Sequence, residues 1–238
     1  MKKMGYLAIV PARASSKRLP GKNVLELCGV PLFLWSVKAG LTCPEITDVV
    51  VTTDSPQYQK LAIDAGALCP WLRSPELSSD HASSADVVLD VIRRFPDFSS
   101  KYLGIVLLQP TSPLRSAADI SSAVRLHRTS QAPAVVSVCE AECPPAWVGQ
   151  LGENGGMDDF VRPDYKGKRS QDLGAWYRLN GALYVMTIDA FVREHGFIPQ
   201  GTLAYVMPRE RSIDIDTAYD FELAQCVLAR QLNQQVKC

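Results

Sequence analysis

The chain is 238 residues long, with 25 lysines and arginines balanced by 25 aspartates and glutamates, and 47% of it is hydrophobic. That length is one large domain, or one domain with a sizeable insertion, and it can bury roughly 70% of its unfolded surface, which excludes global disorder and any need for disulfides or structural metal. Zero net charge excludes a protein whose main task is gripping nucleic acid, and no run approaches the roughly 18 apolar residues of a membrane span.

The start, Met1-Lys2-Lys3-Met4, leads into YLAIV without a small-residue cleavage pattern. The expectation is a soluble cytoplasmic protein with no membrane contact. Seven cysteines, an odd number without a CxxC pair, fit a reducing compartment. Cys139 and Cys143 have a spacing zinc could use, but no second pair lies nearby, and His81, His127 and His195 are far apart. Any catalytic metal is therefore expected to be a hard ion held by carboxylates.

In chain order, residues 6–11 (YLAIVP), 48–53 (DVVVTT), 103–108 (LGIVLL) and 134–139 (AVVSVC) read as strands buried on both faces, as in a parallel sheet. Residues 31–40, 56–66, 84–94 and 117–129 have helical spacing between them. This alternation predicts a three-layer α/β domain with a mainly parallel central sheet and right-handed crossovers. Residues 140–178 break it with prolines, glycines and scattered aromatics. So long a loop should carry structure of its own, such as a hairpin arm, and its aromatics suit docking on a second subunit. Residues 180–186 and 203–207 return to strand character, and 217–232 read as a helix with a capping-box start at Thr217 and Asp220.

The strongest chemical signal is VPARASSKRLPGKN, residues 10–23, directly after the first strand. It gathers Arg13, Lys17, Arg18 and Lys22 with two serines, Pro20 and Gly21, and has no acid of its own. Open α/β sheets bind ligands where such loops leave their strands, and polyphosphate suits these cations. Most charge runs are solvated faces, but prolines and a glycine shape this one more sharply than solvation requires. Neither GxxxxGK[ST] nor GxGxxG is present, so kinase and dehydrogenase readings lose most of their weight.

In SIDIDTAYDFE, residues 212–222, an extended backbone puts Asp214 and Asp216 on one face and Ile213 and Ile215 on the other. Paired carboxylates call for a cation, Mg²⁺ most naturally. The local alternative has Asp216 capping the last helix with Thr217, and Asp214 pairing with Arg209 or Arg211. A third stretch, LLQPTSPLRS at 107–116, puts Gln109, Thr111, Ser112 and Arg115 at a strand end. It suits a hydroxylated ligand, or simply a rigid turn and helix cap.

PARxSSKRLPGKN, LQPTSPLR, NGALY and DIDTxxDFELA, in this order, resemble the cytidylyltransferases that activate nine-carbon acidic sugars, the CMP-sialic acid synthetase family. The resemblance covers essentially the whole chain, read as one domain of residues 1–238 with a dimerisation arm at 140–178. It implies a Rossmann-like nucleotidyltransferase fold, a homodimer, Mg²⁺, and transfer of CMP from CTP to a nonulosonic acid with release of pyrophosphate. It also implies that Arg13, Ser16, Lys17 and Lys22 meet the triphosphate, Asn23 the nucleotide, and Arg73, Ala82 and Ser84 the cytosine and ribose. Gln109 and Tyr184 would face the sugar, and Asp214 and Asp216 would hold Mg²⁺, with Asp214 a candidate base for the sugar's hydroxyl proton.

The family often has RRQDLP before NGA(I/L)Y, whereas this chain has KRSQDLG at 168–174, with Ser170 in place of the second arginine. The sugar's carboxylate then falls to Arg169, Arg178 or another cation, and RSQDL resembles members acting on pseudaminic or legionaminic acid. The nearest rival enzyme is the 3-deoxy-manno-octulosonate cytidylyltransferase, which shares RLPGK. A non-catalytic nucleotide-binding protein on the same fold and a scaffold assembling through the arm are the other classes.

Overall fold

The structure, a computed structural model, describes residues 4–95, 98–169 and 172–235. The chain begins with β1 (Gly5–Pro11), the basic loop, and a two-strand ribbon of β2 (Glu26–Leu27) and β3 (Val30–Pro31). Helix α1 (Leu32–Leu41), β4 (Ile46–Thr52), α2 (Pro56–Asp64), the one-turn α3 (Pro75–Ser78) and α4 (Ser84–Arg94) follow. Next come α5 (Phe98–Lys101), β5 (Tyr102–Leu108), α6 (Ala117–Ser130) and β6 (Ala134–Glu140). The chain closes with β7 (Tyr177–Met186), α7 (Ile188–Glu194), β8 (Leu203–Val206) and α8 (Ala218–Gln235).

Serines and threonines start the helices by accepting from the exposed first-turn amides. Ser55 does so for α2, with Pro56 at the first position, Ser83 for α4 and Thr187 for α7. Ser116 and Asp119 form a reciprocal capping box on α6. Thr217 and Asp220 exchange the same bonds at α8, as the sequence predicted.

Six strands form one sheet in the order β4-β1-β5-β7-β6-β8. β1 pairs parallel with β4 and β5, β6 pairs parallel with β8, and β7 runs antiparallel between β5 and β6. The sheet is thus mainly parallel, with β7 reversed, because the chain from β6 returns beside it without crossing a face. Side-chain alternation sends Ala8, Val10, Val49, Val51, Val106 and Leu108 toward Phe33, Val37, Tyr58, Ile120 and Val124. Leu7, Ile9, Val50, Ile105 and Leu107 pack on the other face with Val88, Val91 and Phe191. A third cluster sets Ala224 and Leu228 of α8 against Leu27, Leu32, Leu114 and Ile215. Among the described residues, no helix is long and apolar enough to cross a membrane.

The segment between β6 and β7 leaves and re-enters the sheet at neighbouring positions: Glu140 pairs with Tyr177, and the Ala141 amide donates to the Trp176 carbonyl at 2.8 Å. A hairpin arm was expected, but the described part holds single 3₁₀ turns at Pro145–Trp147, Glu153–Gly155 and Pro163–Tyr165 and no strand. Prolines start two of these turns and glycines end the third, which leaves no run long enough to pair. Trp147, Val148, Leu151 and Met157 stand exposed there. Ser170, the departure from the family pattern, lies outside the described residues.

Candidate active site

The carboxyl ends of β1 and β5 open on one rim, where the loops that follow them meet the 73–87 stretch beyond α2 and the aspartates Asp214 and Asp216. The basic loop is shaped by Gly21 in the left-handed region (φ 64°), which Gly adopts without steric cost, followed by a 3₁₀ turn at Lys22–Val24. Asn23 closes it by donating Nδ2 to the Arg13 carbonyl at 2.9 Å. Lys22 is buried, with Nζ donating to the Ile215 carbonyl at 2.6 Å and lying 3.2 Å from an Asp216 oxygen. Arg18 also pairs with Asp216. Arg13 and Lys17 converge on Asp80, at 3.0 and 2.6 Å. The acids missing from the loop's own sequence therefore arrive from two distant segments.

A cleft of about 400 Å³ results, with Arg13, Ser16, Lys22 and Asn23 on one wall and Arg73, Ala82 and Ser84 on the other. Gln109, Thr111, Asp214 and Asp216 close its end. The nucleotide residues expected from the sequence thus meet in one place, except Lys17, which stands at the exposed mouth beside Arg13 and Asp80. Asp80 is a site residue that the sequence did not single out, although it lies between Arg73 and Ala82. Arg73 is buried, donates Nε to Ser78 Oγ at 3.1 Å, and its Nη2 has no acceptor among the described residues. Burial lowers its pKa.

The Gln109 loop is anchored from behind by Arg115. This buried guanidinium donates to the carbonyls of Ala182 (2.6 Å) and Ser112 (3.2 Å) and to Ser36 Oγ (2.6 Å), and burial pushes its pKa down to about 9. Asn180 staples the acidic segment to the sheet: its Oδ1 accepts from Ser137 Oγ at 2.6 Å, and its Nδ2 donates to Ser212 Oγ at 2.9 Å. Gly181 takes φ +70°, and a Cβ there would lie 2.7 Å from Gln109 Oε1. Gly181→Ala is expected to cost about 1–3 kcal/mol of stability and to displace Gln109. A thermal melt checks the cost, and an unchanged melting temperature would show that the left-handed backbone does not require glycine there.

Ile215 is fully buried, and the flanking Asp214 and Asp216 both line the cleft. The local alternative does not hold: Thr217 and Asp220 make the cap, Arg211 pairs with Asp119 at 2.7 Å, and Arg209 lies near Glu142. Asp214 stands in the wall between this cleft and a second cavity of about 850 Å³, which Asp216 also lines. Although its surface opens to both, the surrounding protein raises its pKa by desolvation. The Asp216 charge raises it further, while the Thr111 hydroxyl, Lys22 and Arg178 oppose the rise. Two carboxylates on one cleft wall, Asp216 already paired with Arg18 and Lys22, suit a hard cation once phosphate oxygens take over those two side chains. Among the described residues no third acid, His or Cys joins them, so Mg²⁺ would complete its shell with phosphate oxygens and water, as it usually does.

The sugar-side expectations divide. Arg178 lines the second cavity, bound in a fork to Glu142. Arg169 is exposed on the arm and lines neither cavity. Tyr184, expected in the sugar pocket, packs its ring on Phe197 at 5.2 Å and lines neither cavity. It faces the helix layer because residues alternate along β7, and burial raises its phenol pKa, with Asp214 adding to the rise.

The family model described as Cytidylyltransferase matches residues 7–143, more than half of the chain. CMP-N,N'-diacetyllegionaminic acid synthase of Legionella pneumophila subsp. pneumophila is 35% identical over 239 residues, spanning 98% of this chain and 99% of that protein. N-acylneuraminate cytidylyltransferase of Streptococcus agalactiae serotype III is 36% identical over 220 residues, spanning 92% of this chain and 52% of the longer relative. A solved structure of CMP:2-keto-3-deoxy-manno-octonic acid synthetase complexed with CTP superposes with a TM-score of 0.71 over 95% of this chain and 99% of that one. At 15% identity it shares the Rossmann-like nucleotidyltransferase fold. With three of the four motifs lining one cleft and the Legionella relative matching nearly end to end, the chain belongs to the acylneuraminate cytidylyltransferase, or CMP-sialic acid synthetase, family.

Proposed function

We propose that the protein transfers CMP from CTP to the anomeric hydroxyl of a nonulosonic acid, releasing pyrophosphate, with Mg²⁺ as cofactor, as a cytoplasmic homodimer. The observation that carries this reading is the junction of two cavities at Asp214 and Asp216: a cation-lined cleft of nucleotide size and a larger one with room for the acceptor. The legionaminic and acylneuraminic names of the relatives favour a nine-carbon acid over the octulosonate. CTP is drawn from the cytoplasm, and the exposed apolar side chains of residues 147–157 offer a face for a second copy.

The acceptor oxygen bonds to the α-phosphorus as the bond to the bridging oxygen breaks, and pyrophosphate leaves with that electron pair. Lys22, fixed by the Ile215 carbonyl, and Arg13, at the opposite end of the loop, neutralise the charge building on phosphate oxygens. Asp214, on the wall between the two cavities, takes the hydroxyl proton on one carboxylate oxygen and leaves the other for the cation. Mg²⁺, held by Asp214 and Asp216, would supply further neutralisation of the triphosphate. Arg18 and Lys22 exchange Asp216 for phosphate oxygens when the nucleotide enters, which spares the site an unpaired cation.

The test is pyrophosphate release with Mg²⁺, each of the four ribonucleoside triphosphates, and a panel of eight- and nine-carbon keto acids including pseudaminic and legionaminic acids. Release only with CTP and a nine-carbon acid is the expected result. Release with the octulosonate alone would move the enzyme to the rival activity. Silence from a folded protein that binds CTP would favour a nucleotide-binding role. Sedimentation of the same sample checks the dimer.

A further inference from the structure

Glu142 stands where a substrate carboxylate is needed. Its Oε1 accepts from Arg178 Nε at 3.2 Å and Nη2 at 2.9 Å, its Oε2 accepts from Nε at 3.0 Å, and Arg209 Nη2 lies 3.9 Å from Oε1. Two guanidinium groups around one carboxylate form an anion site, which the protein fills with its own side chain. All three residues line the larger cavity, which reaches the transfer site at Asp214 and Asp216.

The chemistry of the proposed acceptor singles out this pair. In a 2-keto sugar acid the anomeric carbon carries both the carboxylate and the attacking hydroxyl. The cation that meets the carboxylate must therefore sit beside the residue that takes the hydroxyl proton. Arg178 meets this condition, since it shares the cavity wall with Asp214 and its charge acts on that carboxylate. Arg169 does not, being on neither cavity.

Resting on the acceptor proposed above, and on Arg178 as the carboxylate cation that the family resemblance offers, we propose that Glu142 is a specificity residue that occupies Arg178 in the free enzyme and is displaced by the incoming carboxylate. Arg178 sits on the rigid strand β7, whereas Glu142 follows the last residue pair of β6 and leads into the arm. The partner that stands off the sheet is thus the glutamate. An acceptor without a carboxylate cannot displace it, so the exchange rejects neutral sugars.

Calorimetric titration of the acid found active in the panel, or N-acetylneuraminic acid if none is, is combined with turnover kinetics for the wild type, Glu142→Gln, Arg178→Gln and the double variant. Glu142→Gln is expected to tighten the acid's Kd and lower its KM by about threefold to fivefold, the scale of an exposed ion pair, leaving the KM for CTP unmoved. Arg178→Gln is expected to weaken the acid roughly 30-fold or more. In the double variant the gain from Glu142→Gln vanishes, and the carboxamide analogue of the acid shows no gain with any variant. A merely structural pair would produce no such split between acceptor and CTP. Turnover with unchanged or weaker acid binding in Glu142→Gln overturns this inference alone. Absence of both binding and turnover in the wild type overturns the acceptor reading and this inference with it.

Discussion

Lys22→Ala is expected to lower kcat/KM for CTP by roughly 10²–10³-fold, the loss typical of one preorganised donor aimed at developing charge. The size follows from burial: an ammonium inside the protein, held by the Ile215 carbonyl at 2.6 Å, cannot be replaced by solvent as an exposed lysine could. The truncation also leaves that carbonyl without its ammonium and Asp216 with Arg18 as its remaining cation. Lys22→Arg should not rescue the rate, because the planar fork does not fit a niche shaped for a compact ammonium. Initial rates of pyrophosphate release against CTP concentration are the measurement. A rate within threefold of wild type would return the loop to a solvated basic run.

Asp214→Asn is expected to cost roughly 10²–10⁴-fold in turnover, the usual contribution of a positioned proton acceptor, while the melting temperature rises slightly. The signs follow from the raised pKa. The folded state holds the Asp214 proton more tightly than the unfolded chain does, so the charged form opposes folding at neutral pH and a neutral isostere relieves that cost. The gain is small because the carboxylate opens to both cavities. The melt is run without Mg²⁺, because a cation on Asp214 would favour the charged form and reverse the sign. Asp216→Asn differs, since it frees Arg18 and Lys22 and leaves two cations facing each other, which should weaken the fold. If Asp214→Asn retained full turnover, the proton would have to go elsewhere.

Much of this was legible from local pattern. The strands of the main sheet and helices α1, α2, α4 and α6 follow from apolar period, helped by a Ser-Pro start at α2 and Ser-x-x-Asp starts at α4 and α6, because each signal is written within one element. The basic loop and the alternating aspartates were legible for the same reason: a charge cluster beside a strand and a two-residue period are sequence-adjacent facts. Tyr184 shows where such reading stops. Its motif was recognised, but which face of β7 it occupies depends on pairing with β5 and β6, and that pairing turns its ring to Phe197. The role of NGALY was likewise not legible, because Asn180 and Gly181 act on Ser137, Ser212 and Gln109, which lie far away in the chain.

The sequence by itself determined the α/β layering, the rim on which a ligand would sit, and the family, since these rest on periodicity, loop position and ordered motifs. The tertiary structure alone decided the reversal of β7, the partners of every cation in the basic loop, and the occupation of Arg178 by Glu142. The reason is physical. Local structure answers to neighbours a few residues away, whereas ion pairing and desolvation answer to distance in space, and in this fold Asp80, Asp216 and Glu142 reach their partners only after the sheet has brought separate loops to one edge.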